Sequence, residues 1–262
     1  EQRFKNLDYR KDRAVGVNMY PNMTEEPLDP RPEDTEKLKK LRVAAVEAFR
    51  GDIDTEYLKE KLAGVDTVEK AEDAFAAGAT VAEVAAARGA AAGDVTVEPI
   101  AVHHWTERYE ALRFDTERYI KETGKNIEVF LANMGPIPQH KARADFSTSF
   151  LQVGEFNVHL NDGFQDGEDG TAIEKCVKPS PPEHYDVAVI CSTDATYPEI
   201  VPALAPELKK VLPEGATLFL AGAAPKDLEE QYRAAGVDDF ISVSANCYEI
   251  LRMLQKKKGM IE

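Results

Sequence analysis

From residue 127 onward, short apolar runs alternate with segments of helical period. This alternation limits the fold more than any other feature of the chain. The runs read "IEVFLAN" (127–133), "FNVHLN" (156–161), "YDVAVIC" (185–191), "ATLFLAG" (216–222) and "DDFISVS" (238–244). Between and after them lie a helix-period stretch reaching Gly154, then "PEIVPALAPELKKVL", "KDLEEQYRAAG" and "CYEILRMLQKKK". Runs of strand length that read apolar throughout are buried on both faces, which is the signature of parallel strands covered by helices. Strands alternating with helices form βαβ units. The expected fold class is α/β, a flavodoxin-like five-stranded parallel sheet over 127–262, preceded by a mainly helical region.

Upstream the rhythm is different. Residues 1–33 contain "NMYPNMTEEPLDPRPED", which is rich in proline and has no sustained period, so an extended segment is expected there. Residues 34–126 are expected to form a helical linker region. Leu38, Leu41, Ala45 and Phe49 recur at helical spacing. Thr80 and Glu83 have capping-box form, and Gly78 and Gly89 stand where helices stop. "VTVEPIAVHHW" reads as extended. Thr106 then opens a helix that ends at Gly124, with Tyr109, Leu112 and Tyr119 on one side. The Ala-rich faces of this region offer little apolar area to bury, so it is expected to lie against other structure.

Charge narrows the partners. The chain carries 32 Lys and Arg against 47 Asp and Glu, a formal net charge of −15. Such a surface repels phosphate backbones, and no nucleic acid partner is expected. No apolar run approaches the ~18 residues of a membrane helix, and no charged-then-apolar leader opens the sequence, so a cytoplasmic protein without a membrane partner is expected. Cys176, Cys191 and Cys247 are far apart and form no CxxC pair or zinc pattern, which fits a reducing compartment. The chain opens on Glu1, and a fragment of a longer protein is expected.

In an open α/β sheet, ligands bind at the carboxyl ends of the strands. Those ends read "NMGPIPQH", "NDGFQDGEDG", "CSTDATYP", "AGAAPKD" and "SVSANC". Asn133 occupies the first end, where a phosphoacceptor receiver domain would need acids for Mg²⁺. "MGPIP" lacks the backbone donors that an FMN phosphate loop supplies. GxGxxG and Walker motifs are absent from the sequence. The five His have no metal-ligand spacing, and no metal site is expected. "DGFQDGEDG" reads as a solvated acidic turn without the spacing of a calcium loop. Ser192, Thr193 and Asp194 fit either a ligand or ordinary helix capping. A lone His such as His140, at a loop-to-helix junction, is ordinarily a surface or capping residue.

The stretch "IEVFLANMGPIPQHKARADFSTSFLQVGEFNV", with "DVAVICSTDATYPEIVPALAPELKK" and "AGAAPKDLEEQYRAAGVDDFI", resembles the cobalamin-binding domain at the C-terminus of methylmalonyl-CoA mutases. The similarity is closest to the small (beta) subunits of the two-subunit bacterial enzymes. "VGVNMYPN" is similar to the end of the mutase barrel, and 34–122 to the linker between barrel and C-terminal domain. The resemblance implies a first loop of the form Asp-x-His-x-x-Gly, whose His binds cobalt and whose Asp orients that His. With the shared Met-Gly placed on Met134 and Gly135, the Asp position holds Ile137, the His position Gln139 and the Gly position Ala142. His140 falls one residue late. The Ser-x-Leu of the third strand end becomes Cys191-Ser192-Thr193, and the Gly-Gly of the fourth becomes Ala221-Gly222.

All three signatures depart from the binding pattern. The resemblance therefore implies a vestigial site at Gly135, Ile137, Gln139, His140, Ala142, Ser192 and Gly222, with no catalytic residue and no cofactor in this chain. Adenosylcobalamin would sit in the large (alpha) subunit, the partner in a heterodimer of propionate metabolism that isomerises methylmalonyl-CoA to succinyl-CoA. Two alternatives stay open: a true cobalamin-binding module with His140 near the cobalt, and an unrelated flavodoxin-like small-molecule module. Under the vestigial reading, Met134, Ile137 and Pro138 are expected to plug the strand ends, and His140 to be partly exposed or to cap its helix.

Overall fold

The structure is a computed structural model and describes residues 1–25, 32–89, 97–178 and 184–262. The chain forms two compact units, residues 1–25 together with 102–262, and residues 26–101. The described start of the chain is not extended throughout: it opens on a helix, α1 (Gln2–Asp8). The helix is too short for periodicity to reveal, but Leu7 is fully buried in the core of the first unit. Asn18 holds the segment in place. Its Nδ2 donates to the carbonyls of Leu7 and Asp12, each at 2.9 Å, and its Oδ1 accepts from the Ala14 amide.

The second unit consists of α2 (Pro32–Gly51), α3 (Thr55–Leu62), α4 (Val68–Ala76) and α5 (Val81–Ala87). Each of the last three has an N-cap side chain on its first turn: Asp54, Thr67 and Thr80. Thr80 and Glu83 form the full reciprocal capping box. The core of this unit is small, built on Val65, Ala71, Ala74 and Val84. The α2 stripe of Leu38, Leu41 and Phe49 is exposed.

In the first unit, α6 (Glu107–Thr123) ends on Gly124, whose φ of 68° gives the left-handed cap that glycine adopts without strain. Five parallel strands follow, in the order β2-β1-β3-β4-β5. They are interleaved with helices: β1 (Glu128–Asn133), α7 (Ile137–Gln152), β2 (Asn157–His159), α8 (Ala172–Val177), β3 (Val187–Cys191), α9 (Tyr197–Val211), β4 (Thr217–Ala221), α10 (Lys226–Ala235), β5 (Asp239–Ile241) and α11 (Cys247–Lys258). Helix α8 directly follows the stretch "DGFQDGEDG" that reads in sequence as a solvated acidic turn.

The period of two along each strand sorts the core into two layers. Val129, Leu131, Val189 and Phe219 pack with Tyr109 and Leu112 of α6, Phe150 of α7 and Leu251 of α11. Phe130, Ala132, Ile190 and Leu220 pack with Val201 and Leu204 of α9, Tyr232 of α10 and Cys176 of α8. Burying one such Leu, Ile or Phe contributes about 1.5–3 kcal/mol. Helix α6 is also tied in by polar contacts. Gln255 Nε2 donates to the Leu112 carbonyl at 2.7 Å and to Thr116 Oγ1 at 2.8 Å, and Thr116 Oγ1 donates to the Gly154 carbonyl at 2.9 Å. The unit built on 127–262 therefore also takes in residues 102–126, which the sequence reading groups with the helical region. Among the described residues, no helix is long and apolar enough to cross a membrane.

Candidate functional site

Strand β1 has β2 on one side and β3 on the other, so the chain reverses direction across the sheet between β1 and β3. A ligand of such a sheet docks beyond these strand ends. The loop after β1 is very short. Met134 and Gly135 continue the strand: the Met134 amide donates to the Cys191 carbonyl and the Gly135 amide to the Phe164 carbonyl, both at 2.8 Å. Gly135 has φ of 86°, and α7 starts two residues later with Pro136 as its N-cap.

That early start changes the meaning of the register. Ile137, Gln139, His140 and Ala142 are residues of the first turns of α7, not of a loop. Gln139 folds back over the glycine, and a Cβ on Gly135 would lie 2.8 Å from its Cδ. Ala142 is exposed on the helix surface. Of the expected plugs, Met134 is buried, but Ile137 is 52% exposed and Pro138 is also exposed. These two occupy the first helical positions, whose side chains here project away from the sheet.

His140 corrects the expectation of partial exposure. It is 3% exposed, and its Nδ1 lies 2.9 Å from the Gly135 carbonyl. Only a protonated nitrogen can donate to a carbonyl, so Nδ1 carries the proton. The ring fits because residue 163 is glycine: a Cβ there would lie 2.8 Å from the His140 Nδ1 and collide with Cε1. Nothing in the local sequence pairs Gly163 with His140; the pairing appears only once β2 lies beside β1.

The strand ends are closed by Ser192, which the sequence singles out, and by Tyr197 and Arg143, which it does not. Tyr197, the first residue of α9, is buried, and its hydroxyl donates to the Ala221 carbonyl at 2.6 Å and accepts from the Ser192 amide at 3.1 Å. Burial pushes this phenol well above its ordinary range, so it stays protonated and can donate. Ser192 is also buried; its Oγ donates to the Met134 carbonyl at 3.0 Å and accepts from Thr196 Oγ1 at 2.8 Å. These bonds stitch β1, β3 and β4 together. Over Gly222, whose φ is 127°, lies the Arg143 guanidinium: a Cβ there would come within 3.2 Å of its Cζ. Arg143 Nη2 pairs with Asp194 at 2.7 Å.

The remaining candidates do not converge. His103, His104 and His159 each pair with a nearby Glu, and His184 is exposed. Among the described residues, no group of three His, Cys, Asp or Glu could hold a metal ion. Burial pushes each of the thiols Cys176, Cys191 and Cys247 up to about 12, so none is a ready thiolate. One acid of the acidic turn caps the helix that follows it. Asp166 Oδ1 accepts from the Ala172 amide at 2.7 Å, and Thr171 and Glu174 form a capping box that opens α8.

Residues 1–94 match the family model described as methylmalonyl-CoA mutase. The chain is 28% identical over 165 residues to the methylmalonyl-CoA mutase small subunit of Porphyromonas gingivalis, covering 63% of this chain and 24% of the relative. It is 33% identical over 133 residues to the corresponding small subunit of Streptomyces virginiae, covering 50% and 20%. A methylmalonyl-CoA mutase of Cereibacter sphaeroides is 23% identical over 257 residues, covering 92% of this chain and 35% of the relative. The chain thus spans about a quarter of the length of the Porphyromonas gingivalis relative and a fifth of that of the Streptomyces virginiae one.

Proposed function

We propose that this chain, which resembles methylmalonyl-CoA mutase small subunits, is a non-catalytic structural part of an adenosylcobalamin-dependent methylmalonyl-CoA mutase. In this reading the large subunit carries the cofactor and the isomerisation of methylmalonyl-CoA to succinyl-CoA. The chain contributes scaffold surface to a cytoplasmic heterodimer of propionate metabolism. One observation carries the reading: polar groups at the ends of β1, β3 and β4 bond to one another. Gln139 stands at the ligand position, folded onto Gly135, and Tyr197 and Ser192 bond the strand ends to one another. Arg143 fills the space over Gly222. Cobalamin does not fit residues arranged in this way.

One observation favours a second reading, a cobalamin-binding module with His140 near the cobalt. The Gly135 carbonyl orients the His140 ring through Nδ1, and such a bond can ready the other ring nitrogen for a metal. Its near-complete burial argues against that role. Titration of the chain with adenosylcobalamin, followed by visible spectroscopy, separates the two. The expected result is no imidazole–cobalt spectrum, both in this chain and in the triple variant Ile137→Asp, Gln139→His, Ala142→Gly. Those three positions lie in α7, and the Tyr197 and Arg143 contacts remain in the variant. Micromolar binding that disappears in His140→Ala would reverse the assignment.

A further inference from the structure

Helix α2 is 20 residues long, and each of residues 35–49 is exposed. Leu38, Leu41 and Phe49, at 59%, 59% and 65% exposure, form one row along the helix with Ala45. Among the described residues, the core of the unit is built on Val65, Ala71, Ala74 and Val84, not on these. A helix of this length is marginal in water by itself and depends on packing of its apolar face. Charge distinguishes the two sides of α2. Arg42 lies one turn from Leu38 on one edge of the row, and Lys37 lies one turn from Leu41 on the other. The acids Glu36 and Glu47 are on the opposite side of the helix. Arg50 is already paired, with Glu83 at 2.6 Å. The row is thus an apolar seam edged by cations, in a chain whose net charge is −15.

The complementary surface lies on α4 of the same unit. Ala71 and Ala74 of α4 turn inward to the core, while Val68 and Phe75 face outward, 74% and 43% exposed. Glu72 stands between them on that face, one turn from each, with the exposed Glu69 beside it. We propose that α2 of one chain docks on α4 of a second copy, and that copy's α2 on the first chain's α4, in a two-fold dimer. Leu38, Leu41 and Phe49 then cover Val68 and Phe75, and Lys37 and Arg42 meet Glu69 and Glu72. Pairing of α2 with α2 is disfavoured, because Lys37 and Arg42 would face the same cations. The two-fold arrangement makes the contact twice. That doubles the buried area, which a stable interface of about 800 Å² per partner requires. The inference is independent of the mutase reading, and its test uses this chain alone.

The test is sedimentation velocity of the 262-residue chain over about 2–200 µM, a range that brackets micromolar affinity. The expected result is a monomer–dimer equilibrium that weakens as NaCl is raised, because the charge pairs lie at the rim of the contact. Leu41→Glu should leave a monomer. Arg42→Glu and Glu72→Arg should each weaken the dimer ~10-fold by setting like charges against each other. The two together in one chain should recover it, since the reversed charges meet again across the interface. All three positions are exposed, and circular dichroism of each variant checks that the helix content is kept. A monomer at every concentration would overturn the proposal and leave the seam to a different protein. A dimer indifferent to Leu41→Glu would overturn it as well. So would a double reversal no tighter than either single change, which would place the contact elsewhere.

Discussion

Replacing Tyr197 by Phe removes a single oxygen from the place where three strand ends meet. The hydroxyl bridges the Ser192 amide at 3.1 Å and the Ala221 carbonyl at 2.6 Å, and the residue is 4% exposed. Phe keeps the ring in the core layer that holds Val201 and Ile190, so the change is almost purely polar. Water cannot readily replace the lost oxygen at a buried position. Orphaning a buried donor costs about 1–3 kcal/mol, and the lost bond to the carbonyl adds about 1 kcal/mol, giving a destabilisation of about 2–4 kcal/mol. With a urea dependence of about 2 kcal/mol per molar, the midpoint should fall by about 1–2 M at unchanged slope. The single Trp of the chain, Trp105, packs against the core of the same unit and reports the transition by fluorescence. Tyr119→Phe is the control: its ring packs on the other core layer of the same unit, its hydroxyl makes no hydrogen bond among the described residues, and its midpoint should barely move. If Tyr197→Phe unfolds within about 0.3 M of the parent, the strand ends are not held by this hydroxyl. The account of a self-closed crevice would then lose its main support.

Two further outcomes follow from other contacts. Gly163→Ala should destabilise the first unit by about 2–4 kcal/mol, because the residue sits at φ of 88° and its Cβ would collide with the His140 ring; urea unfolding of this variant within about 0.5 kcal/mol of the parent would show that the ring moves aside freely. In the second unit, hydrogen bonds from the Thr80 backbone, Arg50 and the Thr80 hydroxyl hold the Glu83 carboxyl down to about 2 from an ordinary 4.5. A folded-state value below the unfolded one means that the contribution is present above about 4.5 and is lost as pH falls toward 2. Carboxyl NMR should show Glu83 titrating near 2, with α5 loosening over that window, and titration near 4.5 would contradict the capping box.

The α/β layout was legible because it depends on patterns that survive in one dimension. "VAVIC" is apolar at every position and "TLFLA" at all but Thr217, and both faces of those strands are indeed buried. Helix ends with strong local chemistry were equally readable: Thr80 with Glu83, and Gly124 after α6. Helix α8 carried the same kind of signal in Thr171 and Glu174, but the density of Asp and Gly before it obscured the start. Helix α1 could not be read at all, since seven residues span barely two turns and its one core anchor, Leu7, has no periodic companion.

The candidate site was legible only as a departure from a motif, and the reason is physical. A register of positions says which residues replace a ligand set, but it assumes that the backbone around them keeps the same conformation. Here Pro136 starts α7 early, so the positions matched to a loop are helical, and Ile137 and Pro138 face outward instead of plugging the crevice. What does occupy the space comes from residues distant in sequence. Arg143 reaches Asp194 across 51 positions, and Tyr197 reaches Ala221 across 24. A buried tyrosine opening a helix and an arginine one turn into another carry no local pattern, because side chains of these types are common at such positions for many reasons. Their roles are set by parallel pairing of β1, β3 and β4, which brings three loops within hydrogen-bond range.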